Sequence, residues 1–266
     1  MMTIQEYVRP QSLEEAYTLN QNKRNRIIGG MLWLKMSDSV VHTAIDLCDL
    51  GLNTIDETED GFSIGASVTL RQLELHEGLN SYSHDAIAKA LQDIVGVQFR
   101  NMATIGGSIF GRYGFSDVLT VFLAMDTYVE LYKGGILPLE EFASMKHDRD
   151  ILVRIHVKKR PEALTYLAMR NSRTDFPVIT CAVSQIEGTY RAVLGARPGK
   201  AIVLQDNENI LADGITKRSA EDFADYAAQN IPTGSNMRGS AEYRTHLIRV
   251  LVNRALGELG GLDNGN

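Results

Sequence analysis

Cysteine is scarce: the 266 residues contain two, Cys48 and Cys181, far apart in the chain. No C-x-x-C pair or Cys/His cluster exists, so the chain offers no ligand set for zinc or an iron–sulfur centre. Both thiols read as small core side chains, and so low a count fits a reducing compartment. No two glycines stand two apart, which excludes the G-x-G core of a Rossmann fingerprint. The one Gly-Lys pair, Gly199–Lys200, is followed by Ala201, which excludes a P-loop. None of the six histidines belongs to an H-E-x-x-H. Paired acids such as Glu14–Glu15 and Glu140–Glu141 fall at helix starts or on solvent faces, so no catalytic carboxylate pair and no catalytic side chain is assigned. No uncharged apolar run approaches the ~20 residues of a bilayer span. The opening "MMTIQEYVRPQSLEE" has early charge and no apolar core, so we expect no signal peptide, no membrane insertion and a cytoplasmic protein. The formal net charge of −6 argues against nucleic-acid binding that rests on phosphate neutralisation.

What is present is ordinary for a globular chain: 44% hydrophobic and 23% charged residues. Ser12 with Glu15 forms a capping box before Leu13, Ala16 and Tyr17. "NRIIGG" reads as a short strand ending in a glycine turn. "FSIGASVTLRQLE" reads as a strand and then a helix capped by Thr69, with Gln72 at the box position. "SHDAIAKALQDIVG" predicts a helix capped by Ser83. Gly134–Gly135 marks a hairpin. Ile151, Val153, Ile155 and Val157 alternate as in a strand, which ends near Pro161, the expected domain boundary. Three strand-like stretches follow, with a Glu187–Gly188 turn between the last two. Two helices come next, capped by Ser219 and Ser240, the second stopping at Gly257. Interleaved elements and then strands before helices predict an α/β region followed by a smaller α+β domain.

Two Gly-Gly pairs, in "RIIGGML" and "ATIGGSIFG", each follow an apolar stretch. Glycine lacks a Cβ and tolerates positive φ, so successive N–H groups there can converge on an anion such as a diphosphate. Arg112 lies close by in sequence. The alternative is that both pairs are tight turns. Asp117 reads either as an acceptor for a ribose or adenine hydroxyl, or as a first-turn acid at a positive helix end.

These stretches, with "YVRPQSLEEAYTL", "EDGFSIGASVTLRQLE" and "RGSAEYRTHLIRVLVNRAL", resemble the flavin-binding subunit of the molybdopterin hydroxylases, the xanthine dehydrogenase and carbon monoxide dehydrogenase family. The resemblance covers roughly residues 5 to 258, and its most specific piece is T-x-G-G-x-I followed by S-D. It implies an α+β fold: a two-part α/β FAD-binding domain of PCMH type over 1–160, with lobes of about 1–55 and 56–160. A smaller C-terminal α+β domain over 161–260, with a three-stranded antiparallel sheet and helices, would follow, and 261–266 would be a disordered tail. The implied cofactor is FAD. The implied partners are a molybdopterin-binding large subunit and a [2Fe–2S] small subunit, with electrons passing through FAD to NAD⁺ or another acceptor.

Carried over residue by residue, the first FAD loop is Ile27, Ile28, Gly29, Gly30, Met31 and Leu32. The second is Thr104, Ile105, Gly106, Gly107 and Ser108. Asp117 matches the acid at the adenosine end, and Leu152 an apolar contact to the adenine or ring system. Three positions depart from the family pattern. Met31 and Leu32 replace a hydroxyl and a polar residue, and Ser108 replaces Asn. A lysine usual near "TYLAMRNSRTD" gives way to Tyr166, Leu167 or Ala168. These departures motivate an alternative, a scaffold of the same fold that has lost FAD. A third reading is a stand-alone flavin oxidase or reductase.

Overall fold

The computed structural model describes residues 1–160 and 162–262. Pro161 and residues 263–266, the end of the expected tail, lie outside the described residues. Along the chain run β1 (Thr3–Val8), α1 (Leu13–Asn20), β2 (Arg26–Ile28), β3 (Val40–Asp46), β4 (Ile55–Glu57), β5 (Gly61–Gly65) and α2 (Leu70–Leu75). Next come α3 (Glu77–Tyr82), α4 (Ala86–Leu91), α5 (Val97–Arg100), α6 (Ile105–Gly111), α7 (Asp117–Leu123), β6 (Thr127–Leu131), β7 (Gly135–Pro138) and α8 (Leu139–Ser144). The chain continues through β8 (Leu152–Lys158), β9 (Glu162–Arg170), β10 (Pro177–Ile186), β11 (Thr189–Gly195), β12 (Ile202–Gln205), α9 (Lys217–Asn230) and α10 (Ala241–Leu259).

Contacts divide these elements into two compact units. The first comprises residues 1–73, 97–111 and 127–158; the second takes 74–96, 112–126 and 159–266. The chain therefore crosses between units several times, whereas the sequence suggested one boundary near 160. Segments 74–96 and 112–126 join the second unit because α4 and α7 pack on its sheet.

The first unit holds two sheets. One is a parallel three-stranded sheet in the order β1-β3-β2, in which Ile27 pairs with Ile45. The other has five strands in the order β4-β5-β8-β6-β7, all paired antiparallel. Local signals hold here. The Ser12 hydroxyl accepts from the Glu15 N–H at 3.1 Å, and Thr69 and Gln72 exchange bonds at 2.8 and 3.1 Å. A small core of Ala16, Ile45, Leu47, Leu52, Ile151 and Val153 joins α1 to β3 and to the start of β8.

The second unit has a four-stranded antiparallel sheet, β12-β11-β10-β9, rather than three strands. The added strand is short, with Ile202, Val203 and Leu204 only half-buried, so its alternation is weak. Helices α9 and α10 bury Phe223, Ile248, Val252 and Leu256 against Val178, Val183 and Leu194. Three helix limits differ from the sequence expectation. Thr216, not Ser219, caps α9, and Ser219 completes the box from inside the helix. Helix α4 is six residues long and begins after Asp85, whose φ of 62° stops the helix from reaching back to Ser83. Helix α10 passes Gly257 and ends at Leu259. Cys181 is buried as expected, but Cys48 is exposed in the loop after β3.

Arg244 is fully buried in α10. It donates to the carbonyls of Val178, Gly234 and Gly239 at 2.9, 2.7 and 2.5 Å and to Asn236 Oδ1 at 2.6 Å. It thus ties the loop before α10 to β10. Arg244→Leu removes four hydrogen bonds and strands buried acceptors, so it should cost on the order of 3 kcal/mol in urea unfolding. A loss under about 0.5 kcal/mol would show that the clamp is dispensable.

Candidate functional site

The two glycine segments meet in the first unit. A Cβ on Gly30 would lie 1.9 Å from the Met102 carbonyl oxygen, and one on Gly106 would lie 2.5 Å from that of Ala66. Both positions require glycine because main chain packs on main chain. Positive φ is not the reason: the left-handed residue of the first loop is Met31, with φ 57°. A Cβ on Gly29 or Gly107 would face the Thr104 hydroxyl at 3.1 and 3.2 Å. That hydroxyl is therefore flanked by two residues without side chains.

A cavity of about 320 Å³ opens beside these residues. Of the expected site residues, Ile27, Ile28, Gly29, Thr104, Gly106, Gly107 and Leu152 line it. Gly30, Met31, Leu32, Ile105 and Ser108 do not. Gly30 is spent on the Met102 contact, and Met31 packs against Ile28, Val41 and Ala44. Ser108 turns its hydroxyl back to the Thr104 carbonyl at 3.0 Å.

"TIGGSIFG" is not a loop, because Ile105–Gly111 forms helix α6. Its first amides are already bonded: Ile105 to the Val68 carbonyl, Gly106 to the Ala66 carbonyl, and Gly107 to the Thr104 hydroxyl, at 2.9, 2.9 and 3.1 Å. The expected convergence of amides at this pair on an anion is therefore not what the geometry offers. What it offers is a bare wall and one hydroxyl whose own proton remains to donate.

The sequence reading missed the cavity's charged lining: Arg26, Arg149, Asp148 and Asp150. Arg149 lies in "KHDRD", which reads as a solvated charge run. No local signal tells that the fold returns it to Asn20, 129 residues earlier. Its pKa is lowered, mainly by burial and then by the Arg26 charge. The Asp150 carboxylate accepts from the N–H groups of Lys133, Gly134 and Ile151 at 3.1, 2.7 and 2.8 Å.

Asp117 belongs to the second unit and does not line the cavity. It is the first residue of α7, 5% exposed, and its Oδ1 accepts from both the Tyr166 hydroxyl and Arg170. Its carboxylate thus already has two donors, one of them at a position where the family lysine was expected. Burial raises the Asp117 pKa to about 6 against the opposing pull of Arg170 and Tyr166. Arg112, also in the second unit, is buried and does not line the cavity either. Among the described residues no cluster of three or more His, Cys, Asp or Glu side chains could hold a metal, and no helix is long and apolar enough to cross a membrane.

Residues 2–158 match the FAD binding domain in molybdopterin dehydrogenase, and residues 164–259 match the CO dehydrogenase flavoprotein C-terminal domain. The chain belongs to the FAD-binding flavoproteins of the molybdopterin dehydrogenase family. It is 26% identical to the xanthine dehydrogenase FAD-binding subunit of Escherichia coli O157:H7, covering 97% of both chains. It is also 26% identical to the nicotine 6-hydroxylase medium subunit of Paenarthrobacter nicotinovorans, covering 96% of both. In fold it superposes on a chain of the carbon monoxide dehydrogenase of Hydrogenophaga pseudoflava with a TM-score of 0.86, at 23% identity over 96% of each. FAD is the cofactor of this family.

The raised Asp117 pKa has a consequence for stability. Its folded value of about 6 lies above the unfolded ~3.9, so the folded state binds the proton more tightly. The Asp117 contribution is fully present below pH 4 and is lost as pH rises to about 6. Relative to wild type, Asp117→Asn should therefore become progressively more stable between pH 4 and 6.5 in urea titrations. A pH-independent difference would show that Asp117 stays charged throughout.

Proposed function

We propose that this chain is the flavin subunit of a three-part molybdenum hydroxylase. In this reading its FAD takes electrons from [2Fe–2S] clusters on a small partner subunit and passes them to NAD⁺ or another acceptor in the cytoplasm. A molybdopterin-binding large subunit would oxidise the substrate. A purine such as xanthine is one candidate, given the likeness to the xanthine dehydrogenase subunit. The observation that carries the reading is the glycine-walled cavity formed where the FAD family matches the chain.

The residues present fit one end of the cofactor. A volume near 320 Å³ is at the lower limit for ligand sites and suits a nucleotide half of the molecule. Gly29 and Gly107 leave room that a Cβ would fill, and the Thr104 hydroxyl between them has a proton to donate there. Ile27, Ile28 and Leu152 supply an apolar surface for a planar base. Bound FAD would supply the capacity to accept and release electrons, and the chain supplies binding and orientation. No side chain here is assigned a proton-transfer role. A second reading, a scaffold that has lost FAD, draws support from the internally bonded amides of Ile105, Gly106 and Gly107.

Freshly purified protein should be yellow, with flavin absorbance near ~450 nm, or should take up added FAD with that spectrum. A colourless protein that takes up none would favour the scaffold. Gly107→Val places two methyl groups at the cavity wall and should abolish FAD retention, while its thermal melt matches that of flavin-free wild type. Stoichiometric FAD in that variant would refute the site.

A further inference from the structure

The cavity contains two positive charges that the chain does not neutralise. Arg149 donates from Nε to the Asn20 carbonyl, and from Nη2 to Asn20 Oδ1 and to the carbonyls of Asn22 and Asn25 at 3.2, 2.8 and 2.9 Å. Its Nη1 has no partner among the described residues. Arg26 donates from Nη1 to the carbonyls of Lys23 and Asn25 at 2.6 and 2.8 Å, and its Nε and Nη2 are likewise unmatched. Neither guanidinium is ion-paired among the described residues, although two aspartates line the same cavity. Asp150 is engaged by three N–H groups. Asp148 accepts the Asp150 N–H at 3.1 Å and pairs with neither arginine.

Neutral carbonyls fix both guanidiniums without cancelling their charge. The lining aspartates pair with neither guanidinium, so an anion between the two arginines would be drawn to both. A fixed guanidinium with a free N–H edge suits phosphate oxygens, because little side-chain entropy remains to be lost. The backbone offers little competing help at the second glycine pair, whose amides already have acceptors. Side chains can therefore add positive potential that the second pair's amides do not supply.

We propose that Arg149 and Arg26 form a phosphate-binding pair in this cavity, and that they hold the diphosphate of the bound dinucleotide. This rests on the FAD reading above for the identity of the ligand, but not for the anion site itself.

The test uses the full chain freed of flavin, with FAD binding followed by fluorescence quenching and with ADP, adenosine and inorganic pyrophosphate as competitors. Wild type should bind FAD, and ADP should displace it on the order of tenfold or more better than adenosine does. Arg149→Gln and Arg26→Gln should each weaken FAD and ADP on the order of 10- to 100-fold and leave adenosine unchanged. Arg149→Lys, which keeps the charge but not the fork, should fall between. Arg26→Gln decides the matter if Arg149→Gln lowers the melting temperature, since Arg26 is exposed and holds only two carbonyls. Variants that bind FAD and ADP like wild type would overturn the proposal. So would equal loss of adenosine, which would mark a merely structural role. If wild type takes up no FAD, the cofactor reading fails; pyrophosphate binding, measured directly by calorimetry, then decides the arginine pair. Its loss in both Gln variants would support the pair, and its persistence or its absence from wild type would sink it.

Discussion

Two crossings of main chain over main chain shape the site. Gly30 lies on the carbonyl of Met102, and Gly106 on that of Ala66, at separations no β-carbon survives. These contacts bring β2 and the start of α6 together and place Thr104 between Gly29 and Gly107. They also use the amides of Ile105 and Gly106 to join α6 to the segment after β5. The stretch of cavity wall at Gly29, Gly106 and Gly107 is consequently bare of side chains. Shape comes from the glycines, and charge comes from arginines that reach the cavity from β2 and from the loop before β8.

How much of this was readable in the sequence depended on range. Capping boxes work over three residues, so Ser12 with Glu15 and Thr69 with Gln72 were legible. The α9 box was misread because Ser219, inside the helix, is itself a favoured cap, and Thr216 carries no acid three residues on. Strands β8 to β11 were legible by length and apolar content. β12 was not, with three half-buried residues and an exposed Gln205. Helix α6 has two glycines in its first turn, and intrinsic propensity opposes a helix there. The tertiary contact with Ala66 overrides it. The glycines themselves stood out, but at Gly30 and Gly106 the close approach is that of the chain's own backbone, and positive φ is not the need.

The site residues divide in the same way. Ile27, Ile28, Gly29, Thr104, Gly106, Gly107 and Leu152 converge on one cavity, as their common match to the family suggested. Asp117 does not, because it lies in the second unit. Tyr166 and Arg170 satisfy its carboxylate inside the second unit, where Thr120 and Thr180 also pair at 2.9 Å and Ser184 donates to the Ala124 carbonyl at 2.6 Å. A buried carboxylate with two donors is stable only while it keeps them.

That contrast separates groups that hold the fold from groups that await something. Arg244 and Asp117 are buried and matched, and displacing their partners would cost what they now contribute. Arg149 is anchored by the same kind of acceptors as Arg244, three carbonyls and one Asn Oδ1, but it lines an open cavity and its Nη1 is unmatched among the described residues. Anchoring explains why the side chain is ordered. It does not explain why a cation sits beside another cation at an open cavity with its outer edge free. Asp148 stands within the same lining and pairs with neither. A guanidinium so arranged gains most from a ligand with several anionic oxygens and gains little from a flat neutral ring, so if the proposed nucleotide binds here, the polar and apolar walls would sort its two ends by chemistry.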